Sequence, residues 1–156
     1  MKVLEVRNLS KAFPGERPIV ALDDVSFEVG NDEFLCIVGP SGCGKSTLLR
    51  IVAGIEGVNS GEILFHEKPI SGPNEKITMI FQHFGLLPWK TALENVKLPL
   101  EVHGIPKEGA RKIAIEYLGK VGLGDFMDTY PHDLSGGMKQ RVGIARALAM
   151  KPEILL

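Results

Sequence analysis

The stretch best suited to chemistry is a nine-residue loop, Gly39-Pro40-Ser41-Gly42-Cys43-Gly44-Lys45-Ser46-Thr47. It fits the pattern GxxxxGK[ST], whose glycines let backbone N–H groups approach phosphate oxygens without Cβ clashes. In that pattern Lys45 reaches the β- and γ-phosphates, the Ser46 hydroxyl is a ligand for Mg²⁺, and Thr47 adds a further donor. The alternative is a glycine-rich turn that merely resembles the pattern, so the flanking elements must decide.

The segments that flank this loop predict a strand before it and a helix after it. Residues 33–38 (EFLCIV) form an apolar run typical of a strand covered on both faces in a parallel sheet. Residues 45–53 have helical spacing, and Gly54 stands where a helix would stop. Strand, loop and helix follow in the order that a phosphate cradle requires, which favours phosphate binding over a plain turn.

A second glycine-rich stretch, Leu134-Ser135-Gly136-Gly137-Met138, opens a predicted helix over residues 135–149. A hydroxyl and free N–H groups at a helix N-terminus make an anion site. Ser135 as an ordinary N-cap is the alternative, and would be favoured if this stretch stood alone. Its pairing with the loop at Lys45, 90 positions upstream, favours the anion site.

The rest of the chain predicts a mixed α/β fold of one domain or part of one. Antiparallel strands are expected over residues 2–9 and 21–29, further strands over 62–65, 77–81 and 153–156, and helices over 92–100, 107–121 and 125–130. The formal net charge of -1 excludes an overall electrostatic footprint for nucleic acid. Neither the two cysteines nor the four histidines have the spacing of a metal site, and no apolar run approaches a membrane span.

With these two stretches, the whole chain resembles the nucleotide-binding subunits of ABC transporters, whose signature LSGGQ is LSGGM here. Leu86-Leu87-Pro88-Trp89 is similar to the nitrate/sulfonate/taurine importer branch. The resemblance implies a P-loop NTPase (RecA-like) core with an N-terminal antiparallel β subdomain and a helical insertion, incomplete at the C-terminus. Residues 1–156 would form a partial ATP-binding domain: a core with the P-loop over 1–84, a helical subdomain over 85–133, and the signature helix with the start of a further strand over 134–156.

The resemblance also implies roles for individual residues toward ATP and Mg²⁺. Residues 39–47 would cradle the phosphates, Lys45 and Gln82 would be catalytic, and Ser46 and Gln82 would contact the metal. Phe13 would stack on adenine where the family usually has tyrosine, although a core or turn aromatic is the alternative. Gln82 is otherwise plain polar surface. Ser135, Gly136 and Gly137 would complete the site of a second subunit in a head-to-tail homodimer.

The function implied is ATP-driven uptake of a small solute, with the subunit held at the cytoplasmic face of the membrane by permease subunits. A solute-binding protein would act indirectly, and no nucleic acid is expected. Trp89 is either core or part of an exposed patch facing the permease. Glu67 stands where relatives often have a turn glycine, so that turn is expected to be strained or differently shaped.

Two alternatives to the importer remain. One is a soluble ABC ATPase acting on nucleic acid or the ribosome, which the absence of heptads and of a basic stripe disfavours. The other is an ATP-binding fragment without turnover. The family pattern continues after KPEILL with an aspartate, a glutamate, a histidine and a strand that lies between residues 33–38 and 153–156. The sequence therefore predicts a chain that binds ATP, scarcely hydrolyses it alone, and lacks the middle of its sheet.

Overall fold

The computed structural model describes residues 2–156 and divides the chain into two compact units, Met1–Asn74 and Glu75–Leu156. No helix among residues 2–156 is both long enough and apolar enough to cross a membrane.

The first unit is built on a four-stranded antiparallel sheet with the strand order β2-β1-β3-β4. Its strands are β1 (Lys2–Phe13), β2 (Ile19–Gly30), β3 (Ser60–Phe65) and β4 (Lys68–Pro69). Leu4, Val6 and Leu9 of the inner strand β1 are buried in the core. The predicted antiparallel opening is confirmed, and both of its strands are longer than predicted because pairing continues to Phe13 and Ile19.

Helix α1 (Lys45–Val52) follows the glycine-rich loop, and it ends as the sequence predicts. Gly54 adopts a φ of 72°, its N–H donates to the carbonyl oxygen of Ile51 at 2.9 Å, and that of Ile55 donates to Arg50 at 2.9 Å. This pair of bonds satisfies two carbonyls that every helix C-terminus leaves open.

The predicted strand over residues 33–38 is wrong. These residues have no strand structure and pair with no strand among the described residues. Phe34 is 93% exposed and Val38 is 87% exposed. A strand needs a hydrogen-bonding neighbour, and without one the backbone N–H and C=O groups of an apolar run bond to water instead.

The turn between β3 and β4 is strained at Glu67, as the sequence predicts. His66 and Glu67 have φ values of 48° and 63°, and Phe65 pairs with Lys68 directly across the turn. Two successive left-handed residues are typical of a two-residue hairpin that favours glycine or asparagine. Glu67 therefore occupies a backbone conformation that costs a side chain with a Cβ atom.

The second unit combines a short parallel strand pair with a helical core. β5 (Ile77–Thr78) pairs with β6 (Ile154–Leu155), and the N–H of Ile80 extends this pairing by donating to the carbonyl oxygen of Leu156 at 2.8 Å. The helices are α2 (Ala92–Val102), α3 (Lys107–Lys120) and α4 (Gly136–Ala149), and they share one buried apolar cluster. The helix predicted over residues 125–130 is wrong, because the chain forms two 3-10 turns instead, Gly124–Phe126 and Pro131–Asp133.

Candidate functional site

The loop from Gly39 to Gly44 is a compact curl closed by the side chain of the lysine that follows it. The ammonium of Lys45 donates to the carbonyl oxygens of Gly39 at 2.8 Å and Pro40 at 2.7 Å. Gly42 and Gly44 adopt φ values of 82° and 97°, which glycine reaches without steric cost. The lysine charge is thereby placed inside the curl, where phosphate oxygens would be received.

Two glycines of the loop have close neighbours, but only Gly44 lies against rigid backbone that leaves no room for a side chain. A Cβ atom on Gly44 would lie closer than 3.0 Å to the carbonyl oxygen of Ala21 in β2 and 3.2 Å from Cδ2 of Leu22. A Cβ atom on Gly39 would lie 2.7 Å from Sγ of Cys43. Gly44 thus anchors the end of the loop directly against the sheet, which fixes where α1 begins.

The N-terminus of α1 is open. Its N-cap residue Gly44 supplies no side-chain hydrogen bond, and the first helical bond runs from the N–H of Leu48 to the carbonyl oxygen of Gly44 at 2.9 Å. The N–H groups of residues 45–47 precede that bond, and the helix dipole adds positive potential there. Ser46 is exposed at this end and presents a hydroxyl oxygen, a ligand type that Mg²⁺ accepts. These donors fit a triphosphate with its metal ion.

Within residues 2–156, no group of three or more His, Cys, Asp or Glu side chains is arranged to hold a metal ion. The oxygen ligands that the loop itself offers are the hydroxyls of Ser41, Ser46 and Thr47 and the backbone carbonyls.

The second stretch forms the N-terminus of α4, with Ser135 as its N-cap. The Ser135 hydroxyl accepts a hydrogen bond from the N–H of Met138 at 3.2 Å, and its carbonyl oxygen accepts one from Lys139 at 2.9 Å. The N-cap alternative is thus observed, but it leaves the hydroxyl hydrogen available. Nothing lies within 4 Å of a Cβ atom built on Gly136 or Gly137. The end of this helix is accessible from outside.

The sequence predicts that Gln82 ends a strand, and this prediction is wrong. β5 ends at Thr78, and Gln82 is the first residue of an exposed turn over residues 82–85. The strand is shorter than predicted because β6 offers only two paired residues to it. Gln82 and Ser135–Gly137 belong to the second unit, whereas residues 39–47 belong to the first.

Phe13 ends β1 with an exposed ring, so the core alternative is excluded. Its side chain is 37% exposed. The ammonium of Lys11 lies 4.9 Å from the ring centroid, and this lysine also pairs with Glu56 and the carbonyl oxygen of Gly57, both at 2.6 Å. A cation on one face of an aromatic ring is a favourable arrangement.

Trp89 lies on the surface, in a loop fixed by Asn95, a residue for which the sequence predicted no role. Trp89 is 70% exposed, whereas Leu86 packs against the helical core. Asn95, 1% exposed, accepts from the N–H of Leu87 at 2.8 Å and donates to the carbonyl oxygens of Leu87, Lys90 and Thr91. The available signal was a polar residue among the apolar positions of α2.

The chain is similar to proteins of one family over most of its length. The family described as ABC transporter matches residues 22–156. An uncharacterised ABC transporter ATP-binding protein of Methanocaldococcus jannaschii is 50% identical, covering 100% of this chain and 59% of that protein. A nitrate import ATP-binding protein of Synechocystis is 44% identical, covering 98% of this chain and 58% of that protein.

A solved structure has the same fold. An ATP-binding cassette in a dimeric post-hydrolysis state, bound to ADP and Pi, superposes with a TM-score of 0.89 at 38% identity, covering 97% of this chain and 72% of that one. The predicted α/β P-loop fold class is thereby confirmed. The chain spans about three fifths of the length of these two relatives.

Proposed function

Because this chain belongs to the ABC transporter family, we propose that it is the ATP-binding subunit of an importer that couples ATP binding and hydrolysis to uptake of a small solute. The observation that carries the proposal is the loop at residues 39–47. A lysine ammonium, two left-handed glycines and an open helix N-terminus converge there, and Gly44 has no space for any other side chain.

The roles that we propose follow from this geometry. Residues 39–47 would cradle the phosphates with their backbone N–H groups, which Pro40 alone lacks, and Lys45 would exchange its two carbonyl partners for phosphate oxygens. Ser46 and Gln82 would hold Mg²⁺, which neutralises charge on the β- and γ-phosphates when bound. Phe13 offers an exposed ring face on which adenine would stack.

We further propose that two copies of the chain form a head-to-tail dimer. The N-terminus of α4 is accessible, and Ser135, Gly136 and Gly137 present a hydroxyl and N–H groups without side chains in the way. In the dimer these groups would reach the γ-phosphate bound by the other copy. The dimeric state of the solved cassette supports this arrangement.

The permease is the proposed membrane partner, and Trp89 is its proposed contact. The Trp89 ring is exposed on a loop that Asn95 holds in place, which limits the entropy lost on docking. The subunit would thereby be held at the cytoplasmic face of the membrane. Nitrate, bicarbonate and methionine are named for relatives that are 44–45% identical, and a small solute of the nitrate, sulfonate or taurine kind is the proposed class.

A titration of the chain with ATP, followed by calorimetry, tests the proposed function. Lys45→Ala removes the ammonium inside the loop and is expected to weaken ATP binding at least about 10-fold, the loss of a charge-assisted hydrogen bond. Lys112→Ala, an exposed lysine of α3, is the matched control and should bind ATP as the parent chain does. Equal affinities for the parent and Lys45→Ala would contradict the proposal.

The expectation that this 156-residue chain alone scarcely hydrolyses ATP stays a prediction. Phosphate release measured on the same preparation tests it. Turnover of about one per second, within the ordinary range of enzymes, would contradict it.

A further inference from the structure

The guanidinium of Arg146 in α4 binds the backbone of a single turn. Its Nη1 donates to the carbonyl oxygen of Gly85 at 2.6 Å, and its Nη2 donates to that of Phe84 at 2.8 Å. Among residues 2–156, no carboxylate pairs with Arg146, and burial lowers the pKa of this guanidinium. Arg146 is partly buried and has no acidic partner, so its two bonds to this turn offset the loss of solvation of its charge.

The turn that Arg146 holds has an unfavourable backbone. Phe84 and Gly85 have φ values of 62° and 55°. Within the turn, the N–H of Phe84 donates to the carbonyl oxygen of Phe81 at 2.9 Å, and that of Gly85 donates to His83 at 2.7 Å. A left-handed conformation at a residue with a Cβ atom persists only where surrounding contacts impose it. Arg146 supplies two of those contacts.

The same turn begins with Gln82, and the same helix begins after Ser135. Ser135 and Arg146 are 11 positions apart, which is about 16 Å along a helix that rises 1.5 Å per residue. Val142, Ala145 and Ala149 are buried in the helical core, so α4 is held along this length. One rigid helix therefore joins an accessible N-terminus to the turn that contains Gln82.

We propose that Arg146 is a positioning residue that fixes the Gln82 turn to α4, so that the placement of Gln82 follows the placement of the Ser135 end of the helix. The inference rests on the proposed function, in which Gln82 contacts the metal ion and Ser135 binds the γ-phosphate of the other copy. Arg146 touches neither nucleotide nor metal. When Ser135 docks on a second copy, any displacement of α4 would move Arg146 and, with it, the turn that contains Gln82.

The test is ATPase kinetics of the assembled transporter containing Arg146→Lys. Lysine keeps the charge, but a single ammonium cannot bridge the two carbonyls in the planar geometry of a guanidinium. The expected result is a fall in kcat of about 10-fold or more with the KM for ATP unchanged within about twofold, as for a misplaced catalytic group. Arg141→Lys is the matched control, because Arg141 lies on the same helix and donates to the carbonyl oxygen of Val121 at 3.0 Å, away from the turn.

A double-mutant cycle with Gln82→Ala separates positioning from general damage to the fold. If Arg146 acts through Gln82, Arg146→Lys should lower kcat by less than about twofold when Gln82 is already alanine. If Arg146→Lys lowers kcat by the same factor with glutamine and with alanine at position 82, Arg146 only stabilises the fold, and the proposal is overturned. Unchanged kcat in the single variant would overturn it as well.

Gly85→Ala perturbs the same contact from the turn, should Arg146→Lys fail to fold. A Cβ atom there would lie 3.3 Å from Nη2 of Arg146 and 3.2 Å from Cδ2 of Phe81, while the helical core is untouched. The same Gln82-dependent loss of kcat is expected, and its absence would overturn the proposal. If Lys45→Ala abolishes ATP binding while both turn variants are silent, this inference fails and the proposed function stands. If Lys45→Ala binds ATP normally, the proposed function itself fails.

Discussion

Replacing Gly44 by alanine tests the phosphate loop more finely than removing its lysine. Both Gly42 and Gly44 are left-handed, so alanine at either position costs about 1–2 kcal/mol of backbone strain. They differ in space: nothing lies within 4 Å of a Cβ atom on Gly42, whereas one on Gly44 would overlap the carbonyl oxygen of Ala21. Relieving that overlap costs about 1–3 kcal/mol more, as for other overpacked sites.

The strain in Gly44→Ala must lower either the free energy of unfolding or the affinity for ATP. If the loop of Gly44→Ala keeps its shape, the free energy of unfolding falls; if the loop moves away from β2, ATP binding must restore the shape and the affinity falls. The sum of the two losses is therefore the quantity predicted. We expect it to be about 1–3 kcal/mol larger for Gly44→Ala than for Gly42→Ala, and up to about 5 kcal/mol in total.

Urea-induced unfolding and ATP titration of both variants measure the two losses. Gly42→Ala controls for the left-handed conformation, so the difference isolates the contact with Ala21. Equal summed losses in the two variants would refute the argument that close approach to β2 fixes the loop. Parent-like ATP affinity and stability in Gly44→Ala would refute it more strongly.

Three further predictions concern stability. Asn95→Ala leaves buried backbone groups without hydrogen-bond partners and should lower the free energy of urea unfolding by about 2–4 kcal/mol. It should also increase the mobility of Trp89, which tryptophan fluorescence anisotropy measures. Glu67→Gly should raise the free energy of unfolding by about 1 kcal/mol by removing left-handed strain, and no gain in urea unfolding would count against it. The hydrogen bond from Arg7 lowers the pKa of Glu5, so this pair stabilises the fold above the usual carboxyl pKa. The stabilisation is lost as the pH falls through the lowered pKa. Glu5→Gln should therefore lower the free energy of urea unfolding at about pH 7 but not at about pH 2.

Local sequence patterns predicted the elements whose stabilising contacts are local. Helix α1 ends just before Gly54 and α4 begins just after Ser135, because both signals act through hydrogen bonds to residues within one turn. The alternation in β1 and β2 likewise predicted a sheet that pairs with its neighbour along the chain.

The predictions that failed depended on partners remote in sequence. Residues 33–38 have the composition of a buried strand, but composition does not show which strand would pair with it. Gln82 was assigned to a strand end for the same reason, because the length of β5 is set by β6, which lies more than seventy residues later in the chain.

Within the candidate site, the sequence indicated the groups but not what positions them. The pattern GxxxxGK[ST] indicated Lys45 and Ser46, whereas the contact of Gly44 with Ala21 depends on how β2 lies beside the loop. Arg146 and Asn95 were missed because their partners are backbone carbonyls, which leave no trace in a sequence pattern.

ATP hydrolysis by mixed dimers of the assembled transporter, carrying Lys45→Ala and Ser135→Arg, shows directly whether each ATP site is shared between two copies. If each ATP site combines Lys45 of one copy with Ser135 of the other, placing the two substitutions in different copies leaves one intact site and about half of the parent activity. Placing both substitutions in the same copy, opposite an unchanged one, should then leave almost none. The reverse pattern, with activity surviving only when both substitutions share a copy, would contradict the claim that the two phosphate-binding helix ends meet across a pair of chains.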